Sequence, residues 1–140
     1  MPNFILSTSI PDYNTEDILV AKIDGSKSKT LAKFFTIISK ELYFPDYFGA
    51  NLDSFDEMIN DLTWLEHEAV IIVIIHFEDF LKNEVMDDDE DCKGLILSLL
   101  DQAADDQKNT KDGIPIKIII EVDSEVIQYL NEMGIEFLKN

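Results

Sequence analysis

The chain has 140 residues, 46% of them apolar, which is one domain's worth of sequence and enough for a single core. Lys and Arg number 11 against 29 Asp and Glu, a net charge of -18, so long-range repulsion opposes binding to a phosphate backbone and favours a cationic partner. Cys92 is the sole cysteine, which excludes an intramolecular disulfide and gives no sign of an oxidising compartment.

Residues 1–17 lack the basic start and long apolar stretch of a secretory signal, and no run reaches membrane-spanning length, so a cytoplasmic location is expected. Within them, residues 4–10 are apolar and either extend a sheet or wrap over it. Residues 18–23 are short, apolar and β-branched, and end in the turn signal Asp24-Gly25, which predicts a buried strand. Leu31, Phe34, Phe35, Ile38 and Leu42 then keep a helical rhythm. Ser28 or Thr30 is placed to cap this helix, and Pro45 ends it by restricting Phe44.

The next stretch, residues 47–57, joins an aromatic loop to a one-sidedly acidic helix. Gly49 is expected at a positive φ, and Asn51 is an N-cap candidate for a helix starting at Leu52. At about 100° per residue, Leu52, Phe55, Ile59 and Leu62 share one stripe. Asp53, Asp56, Glu57 and Asn60 fall on the opposite side. A run of surface acids is most often only a solvated face. Here Tyr47 and Phe48 feed the helix, and aromatics beside clustered charge have the composition of a protein interface, unless both rings are core plugs.

Residues 69–75 form an uninterrupted apolar run, which predicts a central strand. Residues 77–83 suggest a short helix, and residues 95–103 another, with Leu95, Leu97, Leu99 and Leu100 in an imperfect pattern. The polar stretch 105–112 is expected as an exposed loop, and Asp112-Gly113 as a turn into a third strand over residues 114–122. Strands separated by helices favour parallel pairing through right-handed crossovers. Residues 124–133 predict a helix closed by Gly134, with a short strand over 135–138 as a possible addition.

Little in the chain points to catalysis. The acidic run 87–91 lacks the glycine and spaced ligands of a calcium loop, and acids ahead of a helix are stabilised by its dipole. His67 and His76 have no Cys or His at ligand spacing, and Asp53 and Glu57 sit on one small helix, not across a cleft. Gly25 and Gly49 are isolated, so no phosphate-cradling loop is present. Neither an enzyme, a metal site nor a cofactor is expected.

The run Ala21, Gly25, Leu31, Phe34, Ile38, Leu42, Pro45, Tyr47, Gly49, Asn51, Leu52 and Asp53 resembles the barstar family, the intracellular inhibitors of secreted bacterial ribonucleases, without a gap from residue 21 to about 58. Residues 77–83 and 116–120 have plausible counterparts. The resemblance implies a barstar-like three-layer α/β domain. Its three-stranded parallel core sheet, about residues 18–122, would be flanked by helices. Residues 1–17 and 123–140 would be short terminal extensions of this single domain.

By the same resemblance, the partner-binding residues would be Tyr47, Phe48, Gly49, Asn51, Asp53, Asp56 and Glu57. They would enter the active site of a basic, secreted ribonuclease or related toxin, where carboxylates take the places of substrate phosphates. No nucleic acid or membrane is implied as a partner. Three positions depart from the family: Phe48 replaces a tyrosine, Asp56 a tryptophan, and Glu57 the most important interface aspartate. The longer Glu57 keeps the charge but moves it by a methylene, so the partner's cleft can differ in depth. The competing class is an acidic interaction or regulatory module with no nuclease target. A neighbouring reading frame encoding a secreted basic nuclease would separate the two.

Overall fold

Runs of Val and Ile fit strands that are flanked by other strands and buried on both faces. In the computed structural model, which describes residues 2–11, 14–86 and 91–140, the apolar segment Phe4–Ser7 forms β1, and runs rich in Val or Ile form β2 (Ile18–Asp24), β3 (Ala69–Ile75) and β4 (Ile116–Glu121). A short β5 (Phe137–Lys139) completes a single sheet in the order β2-β3-β4-β1-β5, with every pairing parallel. The expected three strands are adjacent in it, but the sheet has five. Residues 4–7 extend it by filling an interior position, because Phe4 and Leu6 continue the buried rows of Ile118 and Ile120.

Register explains where the core lies. Leu19, Ala21 and Ile23 align with Val70, Ile72 and Ile74, and these with Ile116, Ile118 and Ile120, so all share one sheet face. Each is fully or almost fully buried, in one cluster with Phe34, Phe55, Leu100 and Leu130 of the four helices. Burying such a side chain contributes roughly 1.5–3 kcal/mol. The helices are α1 (Leu31–Glu41), α2 (Leu52–Asp61), α3 (Cys92–Lys108) and α4 (Ser124–Met133). The steps β2 to β3, β3 to β4 and β4 to β5 run in the same direction across the sheet, so right-handed crossovers place all four helices on one face. Helix and sheet thus make two layers, not the expected three. On the other face Val20 and Val73 are buried, while Ile5, Ile71, Ile75 and Ile119 stay partly exposed.

The outer edge of β2 is closed by side chains. The N–H groups of Ile18, Val20 and Lys22 donate to Thr15 Oγ1 (3.0 Å), Asn14 Oδ1 (2.7 Å) and Glu41 Oε1 (2.9 Å). An edge satisfied in this way is a poor template for another strand.

Two further expectations change. Residues 77–83 are successive turns, not a helix. His76 and Leu81 lie at φ 50 and 58, and the N–H groups of Leu81 and Asn83 donate to Ser28 and Lys29 carbonyls instead of to their own segment. The expected loop at 105–112 is helical as far as Lys108. Its apolar stripe, Ile96, Leu97, Leu100, Ala103 and Ala104, is continued by the buried polar Gln107. Gln107 Nε2 donates to the Asn60 carbonyl (3.0 Å), and its Oε1 accepts from the Ile114 N–H (2.8 Å), joining α2, α3 and the approach to β4. Of the acidic run, residues 87–90 lie outside the described residues. Asp91 stands at the N-cap of α3, where its carboxylate accepts from the Tyr129 hydroxyl and makes no side-chain capping bond.

Candidate functional site

Helix α1 ends without a glycine. Tyr43 takes the left-handed conformation (φ 55), its N–H donates to the Lys40 carbonyl (3.4 Å), and the Phe44 N–H donates to Ser39 (2.8 Å), a Schellman turn. Seven residues later Ala50 is also left-handed (φ 51). Non-glycine residues held this way cost roughly 1–3 kcal/mol each and persist where their surroundings over-determine them. Here the surroundings are aromatic. Phe48 packs edge-on against Phe44 (4.9 Å between centroids) and Phe35 (5.7 Å), Phe44 meets Trp64 (5.9 Å), and Trp64 Nε1 donates to the Leu42 carbonyl (2.9 Å).

The positive φ expected at Gly49 therefore falls on Ala50. Gly49 serves close approach instead, since an added Cβ would lie 3.1 Å from Asn51 Nδ2 and 3.5 Å from Ser54 Oγ. The Gly49 N–H donates to Ser54 Oγ (2.8 Å), and Asn51 caps α2 by accepting from the Ser54 N–H (2.8 Å). Loop and helix start are one hydrogen-bonded unit. Phe55, Met58 and Ile59 bury the inner side of α2, and Leu62 closes it at φ 58.

On the outer side, Asp53 and Glu57 are exposed one turn apart, and neither carboxylate has an ion pair or hydrogen bond among the described residues. Asp53 also lies in the first turn, where the helix dipole favours a negative charge. Asp56 differs. It is half-buried, and its Oδ1 and carbonyl accept from Asn60 Nδ2 at 2.9 and 2.7 Å. Leu52 is also half-buried, against the core.

Tyr47 is 65% exposed and stands in the loop ahead of the acids, whereas Phe48 faces inward as part of the aromatic packing. The loop also presents Tyr43, 61% exposed, and Asp46, which the sequence reading passed over. The signal for Tyr43 was its place just outside the Leu31-to-Leu42 stripe. The arrangement offers two free carboxylates and two aromatic rings on a braced scaffold, which suits recognition of a cationic surface. Among the described residues no group of three or more His, Cys, Asp or Glu side chains is placed to hold a metal ion, and no helix is long and apolar enough to cross a membrane. His76 Nδ1 lies 3.8 Å from Glu78, and His67 is half-buried.

The sequence profile of the family described as Barstar (barnase inhibitor) matches residues 18–121, from the start of β2 to the end of β4. No curated protein matches the sequence. Among solved structures, the ORC2 protein of Aeropyrum pernix in its ADPNP-ADP complexes superposes with a TM-score of 0.58 at 16% identity, covering 88% of this chain and 32% of that one. Its ADP form gives 0.49 at 16% identity, covering 89% and 32%. This chain thus spans 32% of that protein's length, and the likeness is one of fold alone.

Proposed function

Because the chain belongs to the barstar family, whose members are inhibitors and not enzymes, we propose that it binds and blocks the active site of a basic secreted ribonuclease or related toxin nuclease through α2 and the loop before it. The observation that carries this reading is the pair of carboxylates, Asp53 and Glu57, without partners among the described residues, on a helix whose other side is locked into the core. In the complex they take the places of substrate phosphates and meet the cationic side chains that would otherwise hold RNA. Tyr47 packs against the rim of the cleft, and Phe48, Gly49, Asn51 and Asp56 keep loop and helix in the binding geometry.

Two physical effects support the assignment. A loop braced by aromatic contacts and a capped helix lose little conformational freedom on binding, so less of the interaction energy is spent on ordering. The net charge of -18 draws a basic partner in, speeding encounter in a manner that salt weakens. The cell that makes the nuclease is thereby protected before export.

The test is co-purification from the native cell, followed by a ribonuclease assay of the dissociated partner and binding kinetics with Asp53→Ala and Glu57→Ala. A basic partner whose nuclease activity is suppressed on re-addition supports the reading. A partner without nuclease activity would make this an interaction module instead.

A further inference from the structure

Cations are scarce in this chain and unevenly placed. Lys22, Lys27, Lys29, Lys33 and Lys40 are five of its eleven Lys and Arg residues, and Asp24 is the only acid between residues 22 and 40. Three of them, Lys22, Lys27 and Lys40, line one cleft of about 520 Å³ between α1 and the edge of the sheet at β2. Its apolar lining comes from Ile37 of α1 and Ile75 of β3, both partly exposed.

The two acids of the cleft are oriented by hydrogen bonds from neutral groups. Asp24 Oδ1 accepts from the N–H and hydroxyl of Ser26 (2.9 and 2.7 Å), and Glu41 Oε1 accepts from the Lys22 backbone N–H (2.9 Å). None of the three ammonium groups forms a salt bridge or hydrogen bond with the described residues. Asp24, close enough to feel the charge of Lys27, offsets part of this field, so the three lysines exceed the two acids by one. In a chain of net charge -18, that local excess of positive charge around a partly apolar hollow works on the opposite principle from α2.

We propose that this cleft binds a small amphipathic anion, an oxyanion head on a short apolar tail. The head meets Lys22, Lys27 and Lys40, and the tail lies on Ile37 and Ile75. The volume is within the range of about 300–1,000 Å³ usual for small-molecule sites. Size is also limited from outside. A long polyanion would feel the field of the whole chain, whereas a ligand held within about 8 Å of the lysines, the physiological screening length, feels mainly the local charge. Addition of a peptide strand is disfavoured because Thr15, Asn14 and Glu41 already take the outward N–H groups of β2.

The experiment titrates isotope-labelled protein with octanoate and octyl phosphate, and in parallel with octanol, inorganic phosphate and an acidic hexapeptide, following backbone amide shifts. The expected result is saturable shifts at Lys22, Thr36, Ile37 and Ile75 with both amphipathic anions, and at least tenfold weaker binding of octanol and of phosphate. Lys27→Gln with Lys40→Gln, both exposed positions, should weaken octanoate binding at least fivefold and leave distant amides unmoved. Shifts scattered over the surface, or equal affinity in the double variant, would overturn the site. Tighter binding of the hexapeptide than of octanoate would overturn the small ligand in favour of a protein segment.

Discussion

Helices α2 and α3 pack against one another and both carry clustered carboxylates, yet those of α3 are consumed by the fold and two of those on α2 are left over. Asp101 and Asp105 accept from the same Asn3 amide at 2.8 and 2.9 Å, Asp105 also lies 3.8 Å from Lys108, and Asp106 accepts from Gln102 at 3.2 Å. Asp53 and Glu57 have no such partner among the described residues. What distinguishes a binding face from an ordinary acidic surface is thus the availability of its charges, not their number. Composition gives α2 four acids and α3 three acids with two lysines, but only geometry shows which of those carboxylates find partners.

The sharpest way to break this comparison is on the inner side of α2. Phe55 is fully buried and touches the rings of Phe34, Phe35 and Phe44. Phe55→Ala is expected to cost roughly 3–5 kcal/mol in urea unfolding. Asp53→Ala should change stability by no more than about 0.5 kcal/mol, or raise it by relieving self-repulsion. Comparable losses from the two variants would mean that α2 does not divide into a structural and a free side.

Binding to the co-purified partner should show the next largest effect. Asp53→Ala and Glu57→Ala are each expected to weaken it by roughly 2–5 kcal/mol, because truncation leaves a partner charge buried and unpaired. Asp101→Ala should leave affinity unchanged apart from a small loss of association rate. Raising salt should slow association far more than it speeds dissociation. Equal effects from acids on the two helices would sink the assignment of α2 as the inhibitory face.

The α3 acids should show the reverse pattern. Asn3 is 4% exposed, and the double change Asp101→Ala with Asp105→Ala leaves its amide nitrogen with only the Asp101 backbone carbonyl at 3.4 Å. A stability loss of roughly 1–3 kcal/mol, the cost of an unmet buried donor, is expected in thermal or urea unfolding, with binding intact.

The smallest effect lies at the start of α3. Burial, with Glu84 and Asp91 nearby, pushes the Cys92 thiol from 9.0 up to about 11. A raised pKa favours the protonated form in the folded state, so its contribution is fully present below pH 9 and lost as the pH rises through about 11. Because the side chain is also buried, a thiol reagent at pH 8 should react with Cys92 only as fast as the chain unfolds. Rapid labelling of the native protein would show that the start of α3 opens locally.

Much of the fold was legible because local rules and burial agree. Residues 69–75 could satisfy their apolarity only as a strand among strands, and Asn51 and Gly134 bring the capping chemistry that bounds α2 and α4. The family resemblance over residues 21–58 was likewise readable, because glycine, proline and aromatic positions there answer to local geometry. The sequence by itself therefore determined the order of the main elements, the two sides of α2 and the sign of the long-range field.

Tertiary structure alone decided the rest. Residues 4–7 are too short to declare a partner, and their interior place depends on burying Phe4 and Leu6 in rows supplied by β4, far away in sequence. Gln107 reads as polar surface until α2 and Ile114 meet its amide, which is why a helix continues where a loop was expected. The left-handed backbone at Tyr43 and Ala50 is held by aromatic contacts that reach to Phe35 and Trp64, which local propensity cannot register. The fate of each carboxylate follows the same logic: a charge is spent or free according to what folding brings within hydrogen-bond distance of it.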